Sequence, residues 1–297
     1  MVSHTLTNFE IDDSNEQILV RDSTIQNEIH RYTYDGQLVE TQKVPLAFWD
    51  MALIDKNEIA LYRSFSQLKK EGDFLSTTDF NFHNLLLYKN SKLIQGYLPY
   101  DTTITVQSDV LNTKKNFYRS NGTTLFCQPY DYKIYEIKQD GIRPIYEFVF
   151  PNKYSLPVDF NSDKSYCGKK ISYLKQKPDK IFTLSDMYKV GHQLYFTFFS
   201  YNLSSIIFAY DLNSHSLTPL FKLPSNKNVN FLPLGRSLHA ADATSIYTSL
   251  PSAEFVKYSW QMKKMQENQL PLNVRQLLKS ISNRDNPIII QLYPKQK

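Results

Sequence analysis

The segment Ile29-His-Arg-Tyr-Thr-Tyr34-Asp-Gly-Gln-Leu-Val shows the pattern that decides the fold. An apolar strand ends on a large side chain, a short polar turn follows, and a second strand begins. Asp-Gly between alternating strands is typical of a β-hairpin, because it tolerates the positive φ of a tight reversal. The order returns in Leu85-Leu-Leu-Tyr88-Lys-Asn-Ser-Lys-Leu-Ile, Ile134-Tyr-Glu-Ile137-Lys-Gln-Asp-Gly-Ile, Ile206-Ile-Phe-Ala-Tyr210-Asp-Leu-Asn-Ser-His-Ser-Leu and the half-copy Phe255-Val-Lys-Tyr258.

Two further strands are expected before each hairpin. The nearer ones are Glu16-Gln-Ile-Leu-Val-Arg-Asp, Asn57-Glu-Ile-Ala-Leu-Tyr, Gly122-Thr-Thr-Leu-Phe-Cys, Gly191-His-Gln-Leu-Tyr-Phe-Thr-Phe-Phe and Thr244-Ser-Ile-Tyr-Thr-Ser, and the earlier ones fall near residues 5–11, 48–54, 116–120, 181–190 and 231–239. Two spacings between copies match the roughly 40–50 residues of a propeller blade, and two contain insertions. The sequence therefore predicts an all-β propeller of four-stranded antiparallel blades.

Five blades are visible within one domain spanning residues 1–297. They are expected at residues 3–43, 48–98, 103–150, 180–223 and 229–293. The last is interrupted by a helical insertion over residues 260–281, which is expected to cover apolar propeller surface. Strand character resumes in Asn286-Pro-Ile-Ile-Ile-Gln-Leu-Tyr293, the expected outer strand of the last blade.

Composition excludes several classes of function. The 34 basic residues are dispersed among 29 acidic ones, so a mixed-charge surface is expected and no nucleic-acid partner. No apolar run approaches the ~18 residues of a membrane span, and the first residues do not resemble a signal peptide. The isolated pair Cys127 and Cys167 fits two inert thiols, or one disulfide if the protein is exported.

No motif specifies chemistry. The chain contains no GxSxG, P-loop, GxGxxG or HExxH pattern, and its 6 histidines lack metal-ligand spacing, so no metal or cofactor is expected and the catalytic residues, if any, are unknown. First strands line the central channel of a propeller, and five polar residues are expected there: Asp50, Arg119, Asp186, Arg236 and His239. Such a cluster would bind an anionic or sugar ligand; alternatively, these side chains point between blades or bond neighbouring loops.

Two long insertions are expected to share one face of the propeller. Residues 64–82 join the second and third strands of one blade, and residues 151–179 join one blade to the next. Both kinds of connection emerge on the same side of an up-and-down blade. Long loops on a rigid scaffold commonly carry binding, so this face is a candidate ligand or partner surface.

The chain resembles the six-bladed β-propeller proteins of Bacteroidota, which are related in shape to NHL-repeat propellers. The resembling segments are Phe9-Glu-Ile-Asp12, Ile18-Leu-Val-Arg-Asp22, Tyr32-Thr-Tyr-Asp-Gly36, Leu98-Pro-Tyr100, Ile134-Tyr-Glu-Ile137, Pro157-Val-Asp-Phe160 and Asn286-Pro-Ile-Ile-Ile290. Family members carry an export signal and one more blade before the Phe-Glu-Ile-Asp segment. The resemblance therefore implies a periplasmic or cell-surface protein that lacks the first blade and the signal in this sequence.

The function expected from the sequence is binding without catalysis. The absence of a catalytic signature favours a ligand- or protein-binding propeller, whose partner would be an unknown protein or a saccharide. The alternative is a lyase or hydrolase that acts on a carbohydrate or peptide at the central channel, by analogy of fold alone.

Overall fold

A computed structural model describes residues 6–22, 27–65, 80, 82–111, 113, 115–202, 206–220, 237–263 and 272–294. Its strands form five antiparallel sheets in which every described pairing joins neighbours in the chain. The sheets fall into two compact units. The first unit comprises Met1–Ser185 and Phe199–Leu203, and the second comprises Asp186–Phe198 and Ser204–Lys297.

Three four-stranded sheets make up most of the first unit. The first contains β1 (Leu6–Asp12), β2 (Gln17–Asp22), β3 (Glu28–Thr33) and β4 (Leu38–Lys43). The second contains β5 (Asp50–Asp55), β6 (Glu58–Tyr62), β7 (His83–Lys89) and β8 (Lys92–Pro99). The third contains β9 (Phe117–Ser120), β10 (Thr123–Phe126), β11 (Lys133–Lys138) and β12 (Gly141–Glu147).

The remaining two sheets follow helix α1 (Lys170–Gln176) in chain order. The fourth contains β13 (Thr183–Val190), β14 (Gln193–Phe199), β15 (Ile207–Asp211) and β16 (Leu217–Pro219). The fifth contains β17 (Leu238–Ala241), β18 (Ile246–Leu250) and β19 (Ile288–Leu292), with helices α2 (Ser252–Lys263) and α3 (Leu272–Ser280) between the last two. The all-β propeller predicted from the sequence, with five visible blades and a short helical insertion near the C-terminus, is confirmed.

The turns use polar residues where glycine is scarce. Asn90 and Ser91 both adopt positive φ, at 47° and 63°, between β7 and β8, and Asn121 does so at 46° between β9 and β10. Short polar side chains tolerate this region better than others, because they bond to their own backbone. The two Asp-Gly turns place Gly36 and Gly141 at positive φ as well.

Apolar faces of neighbouring sheets pack together in the first unit. Leu19 and Ile29, from the first sheet, are fully buried with Met51, Leu61 and Leu86 from the second. Burying one such side chain stabilises the fold by roughly 1.5–3 kcal/mol. A second cluster joins the other face of the second sheet to the third, and it includes Tyr62, Leu85, Phe117 and Phe126.

The fifth sheet differs from the sequence prediction. Phe255-Val-Lys-Tyr258, expected as a strand, lies inside α2, and the final strand β19 pairs directly with β18, so three strands are described instead of four. The physical reason is local. Pro251 precedes the helix, Glu254 lies in its first turn, and the segment contains a single β-branched residue, all of which favour a helix.

Candidate functional site

The first strands of three sheets lie side by side in the first unit. β1 contacts β5, and β5 contacts β9. Each is the edge strand of its own sheet, so side chains from three sheets meet along this line. We call Asn8, Glu10, Asp50, Lys115 and Arg119 the first-strand cluster.

Asp50 holds the three strands together. Its Oδ1 accepts hydrogen bonds from Asn8 Nδ2 on β1 at 2.6 Å and from the Met51 backbone N–H at 2.8 Å. Its Oδ2 accepts from the backbone N–H groups of Asn116 at 2.6 Å and Phe117 at 3.3 Å. Burial raises the pKa of Asp50 to about 6, although these hydrogen bonds favour the charged form.

Glu10 and Lys115 are the titratable groups of the cluster that the sequence did not predict, and Glu10 is the one with a strongly shifted pKa. The residue is partly buried, and this burial raises the pKa of its carboxyl group to about 7. The Asp50 carboxylate adds to the rise, whereas the cations of Lys115 and Arg119 and the Leu53 backbone N–H oppose it. A carboxyl group that titrates near neutrality is typical of a functional site, although ion-pair networks also produce such shifts.

Arg119 supplies an exposed cation beside Glu10. It lies on β9, and its guanidinium donates to the carbonyl oxygen of Ile11 at 3.4 Å. That is the one hydrogen bond this guanidinium makes with the residues described by the structure. Lys115 lies just before β9, with its ammonium 5.8 Å from the centre of the Tyr118 ring. The cluster can therefore attract an anion through Arg119 and exchange a proton through Glu10.

Two further sequence-predicted residues, Asp186 and His239, lie on strands of the second unit. Asp186 on β13 is buried, has a φ of 53°, and accepts a hydrogen bond from Thr197 Oγ1 at 3.2 Å. His239 on β17 is exposed and lies 2.8 Å from Ser249 Oγ through Nε2, while its carbonyl accepts from Tyr188 Oη at 2.7 Å. Arg236 lies outside the described residues.

Glu10 carried a signal in the sequence that was easy to overlook. Along β1, polar Asn8, Glu10 and Asp12 alternate with apolar Phe9 and Ile11. The usual interpretation places the apolar residues inside. Here Phe9 is 65% exposed and Asp12 only 2%, so the polar side of β1 is the inner one. A strand whose polar positions alternate strictly is therefore a candidate for a polar site.

One of the two predicted binding loops is well described. Residues 151–179 contain a 3₁₀ turn at Lys164–Tyr166 and helix α1 (Lys170–Gln176). They pack on their own aromatic cluster, in which Phe160 and Leu174 are fully buried against Tyr130. Of residues 64–82, positions 66–79 and 81 lie outside the described residues.

Asp109 anchors that loop. It is buried, and its carboxylate accepts from the backbone N–H groups of Gly168 at 2.6 Å and Lys170 at 2.9 Å. The buried ammonium of Lys170 lies over the rings of Tyr130 and Phe160, at 5.4 and 5.7 Å from their centres. Burial lowers the pKa of Lys170, and the Asp109 charge opposes that shift.

The two cysteines do not form a disulfide with each other. Cys127 is buried and donates its thiol to the carbonyl of Leu184 at 3.1 Å; Cys167 is partly exposed, and the structure shows both as thiols. In the part of the chain that the structure describes, no group of three His, Cys, Asp or Glu side chains could hold a metal ion. Among the described helices, none has the length and apolar character needed to cross a membrane.

Antiparallel sheets that are each built in chain order, three of which meet through their first strands, are typical of a β-propeller. The chain belongs to the family described as "DUF5128: 6-bladed beta-propeller", whose model matches residues 4–220. A search of curated proteins finds no match.

Three solved structures are among those similar to this chain. A putative exported protein from Bacteroides fragilis is similar with a TM-score of 0.69 and 15% identity, over 98% of this chain and 77% of that one. BamB from Moraxella catarrhalis gives a TM-score of 0.40 and 11% identity, over 72% of this chain and 52% of that one. A protein of unknown function from Bacteroides caccae gives a TM-score of 0.38 and 10% identity, over 83% of this chain and 71% of that one.

Proposed function

We propose that this chain is a non-enzymatic binding protein, a single propeller domain that holds a small anionic ligand at the first-strand cluster. The observation that carries the proposal is the exposed guanidinium of Arg119, which donates one hydrogen bond at 3.4 Å within the described residues. An arginine can bind a carboxylate through two parallel N–H groups. Because a guanidinium carries five N–H donors, Arg119 has further donors for a ligand.

Asp50 supports this site indirectly. Both of its oxygens accept hydrogen bonds from protein groups on β1, β5 and β9. It is therefore better placed to fix the strands that carry Glu10 and Arg119 than to contact a ligand. Glu10 modulates the site, because its carboxylate competes with an anionic ligand for Arg119 when it is ionised.

The test is a calorimetric titration with D-glucuronate and, for comparison, D-glucose. We expect D-glucuronate to bind more tightly at pH 6 than at pH 8, because Glu10 is neutral below its pKa of about 7. Arg119→Ala should weaken that binding at least tenfold. Arg143→Ala is the matched control, since Arg143 is exposed on β12 and bonds Glu136. Unchanged D-glucuronate binding in Arg119→Ala would contradict the proposal.

A second candidate is a lyase or hydrolase, and the pKa of Glu10 favours it. A carboxyl group with a pKa of about 7 is suited to general acid–base catalysis at neutral pH. A cleavage assay on polygalacturonate distinguishes the two candidates. Turnover that Glu10→Gln abolishes and Arg143→Ala retains supports the enzyme, whereas binding without turnover supports the binding protein.

We propose that the protein works in the periplasm or at the cell surface. A putative exported protein is among the similar structures, which supports placing this chain in the periplasm or at the cell surface. We also propose a protein partner on the face that the sequence predicts to carry residues 64–82 and 151–179, and such a partner is compatible with ligand binding at the first strands. The packed aromatic cluster under residues 151–179 supports that idea, because it gives the loop a fixed shape.

Asp186, Arg236 and His239 remain predicted ligand residues.

A further inference from the structure

A cleft of about 330 Å³ lies between the first and second sheets, away from the first-strand cluster. Its walls come from the β1–β2, β5–β6 and β7–β8 turns and from β3 and β4. The volume is at the lower end of the roughly 300–1,000 Å³ of small-molecule sites. The cleft is therefore large enough for a ligand of one or two sugar rings.

Carboxamides dominate the lining of this cleft. Five of them converge from both sheets: Asn15, Gln17, Gln42, Asn57 and Asn90. Each carboxamide offers two donors and two acceptor lone pairs, so it can bond a hydroxyl group whichever way that hydroxyl points. Such a lining matches a ligand covered in hydroxyl groups better than one that carries a single strong charge.

Three of these carboxamides are available to a ligand. Gln42 donates to Ser91 Oγ at 2.9 Å, and Asn15 donates to Asp12 at 2.8 Å. The carboxamides of Gln17, Asn57 and Asn90 make no hydrogen bond with any residue that the structure describes. The Gln42–Ser91 bond joins the two sheets across the cleft, so the free groups are held at a fixed separation.

The charges of the cleft do not favour an anion. Arg31 supplies the positive charge in the lining. Its Nη1 lies 3.6 Å from Asp12 Oδ2, and its Nε lies 3.8 Å from Glu40 Oε2. Of these two carboxylates, that of Glu40 lines the cleft and that of Asp12 is buried beside Arg31, and together they outnumber the arginine and disfavour a negatively charged ligand. The floor offers no stacking platform either, because Ile59 and Tyr88 are 1% exposed. Recognition in this cleft must therefore rest on hydrogen bonds.

We infer that this cleft binds an uncharged saccharide of one or two rings, held by Gln17, Asn57 and Asn90. The site is separate from the first-strand cluster, and its ligand is neutral where the other is anionic. Hydroxyl groups of the sugar replace the waters that hydrate the three carboxamides. Because hydrogen bonds exchanged with water contribute modestly, the expected affinity is in the millimolar range.

The test titrates the whole chain with xylose, galactose, maltose, cellobiose and D-glucuronate, monitored by calorimetry. We expect at least one neutral sugar to bind, at least fivefold more weakly in Gln17→Ala and in Asn57→Ala. Gln95→Ala and Asn213→Ala are matched controls, because both carboxamides are exposed outside the cleft and make no hydrogen bond with described residues. Arg119→Ala should leave this binding unchanged, which separates it from the site of the proposed function.

Three outcomes overturn the inference. The first is no binding of any neutral sugar at 50 mM, roughly the weakest affinity that so few hydrogen bonds supply. The second is neutral-sugar binding that Gln17→Ala and Asn57→Ala leave unchanged. The third is preferential binding of D-glucuronate that depends on Gln17 and Asn57, because it would show that the cleft prefers an anion. Thermal unfolding of each variant confirms that the comparison is between folded proteins.

Discussion

The carboxylate of Asp50 accepts the backbone N–H of Asn116 at 2.6 Å, across 66 residues of chain. Asn116 in turn donates its side-chain amide to the carbonyl of Cys127 at 2.9 Å and accepts from Thr113 Oγ1 at 2.7 Å. A buried carboxylate thus ties the start of the third sheet to the second, and the same carboxylate holds the first sheet through Asn8. Polar groups therefore help to set how neighbouring sheets meet.

Replacing this carboxylate should cost stability. Asp50→Asn keeps the shape of the side chain, but its NH2 group faces two N–H donors whichever way the amide is turned. We expect a loss of about 2–3 kcal/mol in the free energy of unfolding, measured by urea denaturation at pH 8. Asp55→Asn is the control, because exposed Asp55 accepts only from the Lys56 backbone N–H in its own turn and from the exposed Gln139 side chain among the described residues, and it should lose less than about 1 kcal/mol. Equal losses in the two variants would contradict the role of Asp50 in joining the first and third sheets to the second.

Glu10 should make stability depend on pH. Its pKa in the folded protein is about 7, above the usual 4.5 of an unfolded chain. The folded protein holds this proton more tightly, so the contribution of Glu10 to stability is fully present below about pH 4.5 and is lost as the pH rises through about 7.

The variant Glu10→Gln isolates this contribution. We expect the fall in unfolding free energy between pH 5 and pH 8 to be smaller in Glu10→Gln than in the original chain. The remaining fall belongs partly to Asp50, whose pKa is raised in the same direction to about 6. Denaturation curves at four pH values across this range provide the measurement. An identical pH dependence in both proteins would show that burial does not raise the pKa of Glu10 in the folded protein.

The blade pattern was readable from the sequence because strands and turns are local. Each Asp-Gly or Asn-Ser turn and each run of alternating residues carries its own signal, and the first four sheets follow those signals. The fifth sheet did not, because Tyr258 matched the spacing of the earlier copies although its neighbours favour a helix. Spacing is a property of the whole repeat, whereas helix formation depends on the residues within one segment.

The first-strand cluster was only partly predictable. Asp50 and Arg119 were named because they fall on first strands, and the charges of both shift the pKa of Glu10. Glu10 was not named, because the alternation of polar residues with Phe9 and Ile11 leaves both faces of β1 open as the buried one. Which face of β1 is buried depends on the packing of β5 against it, and no local pattern in β1 contains that information.

Phe255 should be essential to the fifth sheet. It is fully buried in α2 and packs with Leu250 and Ile290 from β18 and β19. Phe255→Ala should lower the free energy of unfolding by about 3–5 kcal/mol, since it leaves a cavity between helix and sheet. Leu272→Ala, at a residue that is 62% exposed on α3, should cost less than about 1 kcal/mol. A Phe255→Ala protein as stable as the original in thermal unfolding would contradict this packing.

The loop at residues 151–179 should depend on Asp109 for its shape. Asp109→Ala removes the acceptor for the N–H groups of Gly168 and Lys170, and these donors are left without a partner in a buried setting. Because the loop carries several lysines, limited trypsin digestion reports its opening, and we expect cleavage there to accelerate at least tenfold. The matched control is Asp163→Ala, which removes an exposed cap on Ser165 and should change the rate less than threefold. If both variants are cleaved at the same rate, the loop is held by its aromatic cluster alone, and a protein partner would meet a surface whose shape does not depend on Asp109.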